Sequence, residues 1–166
     1  MPSTTVQSLS RATTATFEEL ALLFPEHELS PEQAAAPLDM AVSVEFRGPL
    51  LGRLVLRASS NVLSSIAANM LGEDASRERP LQRDALGELA NVICGNLLPA
   101  IAGVEAVFHL SAPRVHDGGD VFSRDVDAPS ASVLFGIEAG RAESALYVFA
   151  EQHGDEAVSP RAVSAA

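Results

Sequence analysis

The chain has 166 residues, of which 47% are hydrophobic and 20% are charged, and 22 acidic against 11 basic residues give it a net charge of −11. This composition is typical of a soluble globular protein, and the length is that of a single domain. The one cysteine, Cys94, excludes an internal disulfide and a cysteine-based zinc cluster. We therefore expect a reducing, cytoplasmic setting.

The charge also limits the partners that the surface can bind. An acidic chain without lysine repels the phosphates of nucleic acids and anionic lipids. The apolar run 97–104 contains a proline and a glycine and is far shorter than the roughly 20 residues of a membrane span. Residues 1–14 lack the apolar core of a secretory signal. We expect neither nucleic acid nor membrane as a partner.

The first half of the chain predicts a tail followed by a helix, a hairpin and a second helix. Residues 1–13 are rich in Ser and Thr and are predicted to form a flexible tail. A short amphipathic helix is predicted over 16–24, before a proline. Alternating apolar residues over 41–46 and 52–57 predict a β-hairpin, and apolar residues at helical spacing predict a helix over 60–72.

A longer helix is predicted over 81–103. At 100° per residue, one stripe of apolar side chains is expected to be buried. Its members are Leu86, Ala90, Ile93, Leu97 and Ile101. Four residues lie on the opposite, polar face of the same helix. They are Asp84, Glu88, Asn91 and Gly95. Pro99 is expected to kink or fray the last turns, because it lacks the amide that bonds to the preceding turn.

The second half of the chain predicts three more strands. They cover 106–110, 132–138 and 144–150, with a Gly- and Asp-rich loop over 116–129 between the first and the second. The order of elements predicts an α+β fold in which an antiparallel sheet packs against helices. We expect one domain over 14–150 and a second flexible tail over 151–166.

Most familiar signs of chemistry are missing from the sequence. It contains no phosphate-binding, serine-hydrolase or zinc-protease motif. The acidic residues of the 116–129 loop lack the spacing of a calcium-binding loop and are typical of turns, so no metal site is predicted. Cys94 lies at the shoulder of the apolar stripe and is predicted to be a packing residue.

Glu88 and Asn91 remain as a candidate site on the polar face of the long helix. Positions three apart are neighbours on a helix surface. A carboxylate there can form an ion pair with a partner's cation, while an amide can hold a water molecule by donating and accepting hydrogen bonds. The pair can form a site that a partner completes. The same spacing occurs by chance in many helices, so the pattern alone favours a solvated helix face.

A family resemblance favours the first of these interpretations. Asp84, Glu88 and Asn91 stand at the spacing of the active helix in the CheC/CheX/FliY chemotaxis phosphatases, and the chain resembles CheX most closely. In that family a Pro-Pro pair enters a strand after the helix, whereas this chain has Ala112-Pro113. The likeness extends to the order of elements over 14–150. A second Glu/Asn motif found on the first helix of other members is absent, because Glu19 is followed three residues later by Leu22.

The resemblance implies a phosphatase for the aspartyl phosphate of a phosphorylated response-regulator receiver domain of the CheY type. Glu88 would form a salt bridge with the receiver's lysine, Asn91 would orient the attacking water, and Asp84 and Gly95 would frame the docking surface. The chain would need no cofactor of its own, since the receiver supplies Mg²⁺. The resemblance also implies a homodimer. The alternative is a non-catalytic relative that binds a receiver domain or assembles with signalling or flagellar-switch proteins.

Overall fold

The described part of the chain, residues 3–117 and 128–151 of a computed structural model, folds into four α-helices and six strands. The helices are α1 (Thr4–Leu20), α2 (Pro31–Ala35), α3 (Ser60–Leu71) and α4 (Arg79–Ala102). The strands are β1 (Met40–Arg47), β2 (Leu50–Ala58), β3 (His109–Leu110), β4 (Arg114–Asp117), β5 (Ala131–Ile137) and β6 (Gly140–Glu151). The predicted α+β class is confirmed.

The strands form one antiparallel sheet in the order β3-β1-β2-β6-β5, and β4 also pairs with β1. The predicted β1–β2 hairpin is confirmed, with Phe46 opposite Gly52 at its closed end. β3 and β4 share one edge of β1, since β3 pairs with its last residues and β4 with its first. The strand predicted over 106–110 is shorter than expected, since β3 covers only His109–Leu110. The predicted loop over 116–129 starts later, because β4 extends to Asp117, and residues 118–127 lie outside the described residues.

Helices α1, α3 and α4 cover one face of the sheet and bury the main hydrophobic core. The predicted stripe of α4 is confirmed. Leu86, Ala90, Ile93 and Leu97 are fully buried, and Ile101 packs against the same core. α4 does not fray at Pro99, because it continues to Ala102 and the Gly103 N–H donates to the Pro99 carbonyl at 2.9 Å.

Among the described residues, α4 is the one helix that is long and apolar enough to cross a membrane, by length and composition alone. Half of its apolar window is buried inside the protein. Core helices of soluble proteins meet the same test, so the helix is weak evidence for a membrane span. Its buried side contacts β1 and β2 as well as the neighbouring helices.

The N-terminal tail predicted over 1–13 is wrong for residues 4–13, which belong to α1. Ser3 caps this helix by accepting a hydrogen bond from the Val6 N–H, and Leu9 is fully buried. The Thr13 hydroxyl donates to the Ser144 hydroxyl at 2.9 Å. A Ser- and Thr-rich segment is thus helical because tertiary packing supplies the partners that its own propensity does not favour.

The other predicted boundaries of these end segments differ as well. α1 ends at Leu20, short of the predicted Phe24, and Leu22 takes the left-handed conformation with φ 55° that breaks the helix. At the other end, Glu151 still belongs to β6, and the rest of the C-terminal tail predicted over 151–166 lies outside the described residues.

Candidate functional site

The face of α4 that points away from the core carries the predicted pair. Glu88 is exposed and Asn91 is half-buried, while Asp84 and Gly95 are both exposed. Glu88 and Asn91 are one helical turn apart, a spacing that places Cβ atoms about 5–6 Å from each other. The predicted register is confirmed, because the same rotation that buries Ile93 turns Glu88 to solvent.

A groove of about 260 Å³ runs beside this pair. One wall is α4, and the other is the segment that enters β4. The lining residues are Arg83, Asp84, Gly87, Glu88, Asn91, Pro113 and Val115. Arg83, Gly87 and Val115 are residues that sequence reasoning missed. Helical spacing from Glu88 could have indicated Arg83 and Gly87, whereas only the tertiary fold brings Val115 to α4.

The two glycines of α4 face different surroundings. A Cβ on Gly87 would lie 3.1 Å from the Cβ of Pro113, so the absence of a side chain lets the β4 segment lie against the helix. At Gly95 a Cβ would have no atom within 4 Å. Gly95 therefore leaves the helix surface open beyond Asn91, as expected for a face that another molecule approaches.

The side chains of the pair are available to such a molecule. Within residues 3–117 and 128–151, neither the Glu88 carboxylate nor the Asn91 amide has a hydrogen bond or an ion pair. Asp84 and Glu88 stand four residues apart on the helix. Two like charges at this spacing destabilise a helix by about 0.2–0.5 kcal/mol. A cation placed between them would relieve this repulsion. The groove thus combines two carboxylates with one cation of the chain itself, the Arg83 guanidinium.

Cys94 lies in the core rather than at the groove. It is fully buried, which confirms its predicted packing role, and burial raises the pKa of its thiol to about 12. The thiol is therefore protonated at neutral pH and is no nucleophile. His27 and His109 are exposed. In the described ranges, no group of three or more His, Cys, Asp or Glu side chains could hold a metal ion.

Comparison with known proteins identifies the family. The family model of the chemotaxis phosphatase CheX matches residues 40–136. The chain belongs to the CheX family. The matched range contains α4 and β4, and hence every residue of the groove. No curated protein matches the chain.

Solved structures of CheX proteins share the fold. CheX of Vibrio vulnificus aligns with a TM-score of 0.71 at 18% identity, covering 90% of this chain and 100% of that chain. CheX of Desulfovibrio desulfuricans aligns with a TM-score of 0.68 at 18% identity, covering 87% and 99%. The structure of a CheX–CheY–BeF₃–Mg²⁺ complex from Borrelia burgdorferi aligns with a TM-score of 0.61 at 15% identity, covering 87% and 97%. These structures each cover 87–90% of this chain and share its fold.

Proposed function

We propose that this CheX-family protein hydrolyses the aspartyl phosphate of a phosphorylated, CheY-like receiver domain. The observation that carries the proposal is the placement of Glu88 and Asn91 on one exposed turn of α4, beside a groove and without partners among the described residues. Neither side chain forms a hydrogen bond or an ion pair with a described residue. They are suited to engage two groups of one external molecule.

The proposed reaction is a water attack on phosphorus. The water oxygen forms a bond to phosphorus as the bond between phosphorus and the receiver's aspartyl oxygen breaks, which leaves a carboxylate and inorganic phosphate. The Asn91 amide would hold the water in line by donating to it and accepting from it. Glu88 would bind the receiver's active-site lysine, and Asp84 would add to the negative field at that point. Positioning and charge are the main means by which proteins accelerate phosphoryl transfer.

Magnesium is assigned to the receiver rather than to this chain. The groove offers the exposed carboxylates of Asp84 and Glu88 on one helix face, and the described residues bring no third metal-binding side chain to them. We propose, as the family resemblance implies, that the chain brings no cofactor of its own. The CheX–CheY–BeF₃–Mg²⁺ complex, whose CheX shares this fold, supports a receiver domain as the partner.

Two further parts of the proposal follow from the family. We propose that the protein is cytoplasmic, because the reducing cytoplasm keeps a free cysteine such as Cys94 in the thiol form. We also propose that it acts as a homodimer. Sedimentation velocity over a range of concentrations tests the second statement, and a monomer at every concentration would contradict it.

The decisive experiment measures the lifetime of a phosphorylated receiver. Receiver domains from the same genome are phosphorylated with a small-molecule donor, and phosphate release is followed with the parent protein or with the Glu88→Gln/Asn91→Ala double variant. We expect faster release with the parent and no acceleration with the double variant. A matched control is Asn96→Ala, which changes an exposed amide on the same helix outside the groove.

The same experiment separates catalysis from mere binding. Affinity for a beryllofluoride-activated receiver is measured in parallel with the phosphate lifetime. Binding together with an unchanged lifetime would overturn the phosphatase and favour the non-catalytic adaptor that assembles with signalling or flagellar-switch proteins. Binding and a shortened lifetime that the double variant abolishes would support the enzyme.

A further inference from the structure

The segment that follows α1 presents two large apolar side chains to solvent. Leu22 is 63% exposed and Phe24 is 70% exposed, whereas Ala21 and Leu23 beside them are buried. One exposed apolar residue is common on a protein surface and needs no explanation. Two of them, held side by side, form a small surface that we call the Leu22/Phe24 patch.

Leu22 is unfavourable for folding on two counts. Its φ of 55° lies in the left-handed region, which glycine adopts freely and leucine does not. The turn requires this conformation, because the Leu23 N–H donates back to the Phe17 carbonyl at 3.1 Å. The exposed side chain gains little from burial that would offset the strain. Glycine, the usual residue after a helix, would avoid both costs, so leucine at this position indicates a role outside folding.

Hydrogen bonds fix the chain on both sides of the Leu22/Phe24 patch. Before it, the Ala21 carbonyl accepts from the Asn69 side-chain amide of α3 at 2.7 Å. After it, Glu26 and Gly136 exchange two backbone hydrogen bonds of 2.8 Å. Side chains on a backbone that is already ordered lose less conformational entropy when they bind. The patch therefore has the properties of a binding anchor.

The charge around the patch is negative. Four glutamates stand within four residues of it in the sequence, and no arginine occurs between Arg11 and Arg47 in a chain without lysine. The four are Glu18, Glu19, Glu26 and Glu28. Within the described ranges none of these carboxylates forms an ion pair. Helix α3, which reaches this turn through Asn69, carries no charged residue. A cationic partner is thus attracted, whereas a second copy of the same surface is repelled.

The spacing of the two side chains fits one face of a helix. The Cα atoms of Leu22 and Phe24 lie within about 7 Å of each other, since two residues of chain span no more. Neighbouring side chains on a helix surface are about 5–6 Å apart, so a single apolar stripe can cover both anchors. A partner strand is disfavoured, because Glu26 already pairs with the nearby edge of β5 at Gly136.

We propose that the Leu22/Phe24 patch binds a basic amphipathic helix of a partner protein. Leu22 and Phe24 would contact the apolar face of that helix, and lysine or arginine side chains flanking this face would meet the surrounding glutamates. This surface shares no residue with the groove on α4, so the inference goes beyond the proposed phosphatase.

The first test uses a labelled peptide and the full chain. The probe consists of repeated Lys-Leu-Leu-Lys units with a fluorescent label, and its leucines share one face of a helix. One control peptide has glutamate for every lysine, and another alternates Lys and Leu strictly. Fluorescence anisotropy is expected to show saturable binding of the probe and binding weaker by about tenfold or more for both controls. Equal affinity for either control would overturn the proposal.

Two substitutions locate the binding surface. Leu22→Gly and Phe24→Ser are each expected to weaken binding of the probe by about tenfold or more. The matched control is Val107→Ser, which removes a side chain that is also 70% exposed, beside β3 at the opposite edge of the sheet from β5. Its affinity is expected to stay within about threefold of the parent's. An equal loss in the control would overturn the assignment to this patch.

Stability separates binding from folding at Leu22. Leu22→Gly removes the backbone strain and is expected to raise the thermal midpoint by about 2 °C. Leu22→Ala keeps the strain, so it is expected to lose binding without this rise. A lower midpoint for Leu22→Gly would assign the leucine to folding and overturn the proposal, as would parental affinity of Leu22→Ala.

A membrane is the competing partner for an exposed leucine and phenylalanine. Sedimentation with phosphatidylcholine vesicles tests it, and we expect the protein to stay in the supernatant. Sedimentation that Leu22→Gly abolishes would assign the patch to a lipid surface and overturn the proposal. These readouts need no receiver domain, so they are independent of the phosphatase assay.

Discussion

Gly87 and Pro113 touch across the groove: a Cβ added to Gly87 would lie 3.1 Å from the Pro113 Cβ and 3.3 Å from its Cγ. Carbon atoms at optimal separation lie about 3.5–4.0 Å apart. The glycine therefore allows the β4 segment to approach α4 more closely than any other residue would. Because Pro113 forms the opposite wall, this contact sets the width of the groove beside Glu88.

Gly87→Ala should displace that wall. The added methyl group overpacks the contact, at a cost of about 1–3 kcal/mol, and higher helix propensity offsets about 1 kcal/mol of it. We expect a folded protein whose free energy of unfolding falls by about 1 kcal/mol, together with shifted amide resonances at Val115. Urea denaturation and a heteronuclear NMR spectrum measure the two effects. An unshifted Val115 amide would contradict this view of the contact.

Gly95→Ala is the matched opposite, because a Cβ there meets no atom within 4 Å. The gain in helix propensity should raise the free energy of unfolding by about 1 kcal/mol. If the receiver domain docks on the helix surface beyond Asn91, the same methyl group lies in the interface and should weaken the complex with the receiver. Denaturation and binding of a beryllofluoride-activated receiver test both statements. A variant that is more stable and binds equally well would remove Gly95 from the docking surface.

The sequence predicted α4 and its register well, for a physical reason. Its apolar stripe repeats over several turns, so the rotation per residue alone decides that Ile93 is buried and Glu88 exposed. α1 was predicted too short because Thr13 and its neighbours are poor helix formers. Its partner Ser144 is far away in the sequence.

In the candidate site, too, the sequence predicts what local helix geometry decides and misses what distant contacts decide. Glu88 and Asn91 belong to one helix, and local geometry was sufficient to bring them together. Val115 and Pro113 reach the groove only because β4 pairs with β1 at the edge of the sheet. That pairing depends on tertiary structure. The four residues of β4 are too few to form a pattern that predicts it.

Cys94 should make stability depend on pH in the alkaline range. Burial raises the pKa of its thiol from 9.0 to about 12 in the folded protein. Between these values the unfolded thiol has lost its proton while the folded thiol keeps it, so the unfolded state binds fewer protons and stability falls as pH rises. We expect a fall of about 1.4 kcal/mol per pH unit from this group.

The control for Cys94 is Cys94→Ala, since both proteins share every other titrating group. The cavity left by the substitution lowers stability equally at each pH. The advantage of the parent over the variant should thus shrink as the pH rises above 9 and should reverse before about 12, because the loss of about 1.4 kcal/mol per pH unit soon exceeds the cost of the cavity. If the difference in unfolding free energy between the parent and Cys94→Ala is constant over this range, burial does not raise the pKa of the thiol.

Asn91→Ala should abolish most of the proposed phosphatase activity and preserve the fold. A methyl group cannot hold the water, and the loss of one preorganised hydrogen-bonding group typically lowers kcat by about 10²–10³-fold. Stability should be unchanged or slightly higher, because alanine has the greater helix propensity. Single-turnover phosphate release with saturating protein measures the effect. Release at the parental rate by a folded variant would remove the water-positioning role.

Glu88→Gln should act on the complex more than on the chemistry. Glutamine keeps the size and hydrogen-bonding capacity of the side chain and removes its charge, so the bridge to the receiver's lysine weakens. We expect an increase in KM and in the dissociation constant for the beryllofluoride-activated receiver, with a smaller decrease in kcat. An interaction made equally in the bound complex and the transition state appears in KM, whereas one made only in the transition state appears in kcat.

Asp84→Asn is the matched control: it removes a neighbouring charge on the same exposed face and should weaken binding less. A Glu88→Gln variant with parental affinity and a large loss of kcat would assign Glu88 to the reacting water instead of the lysine.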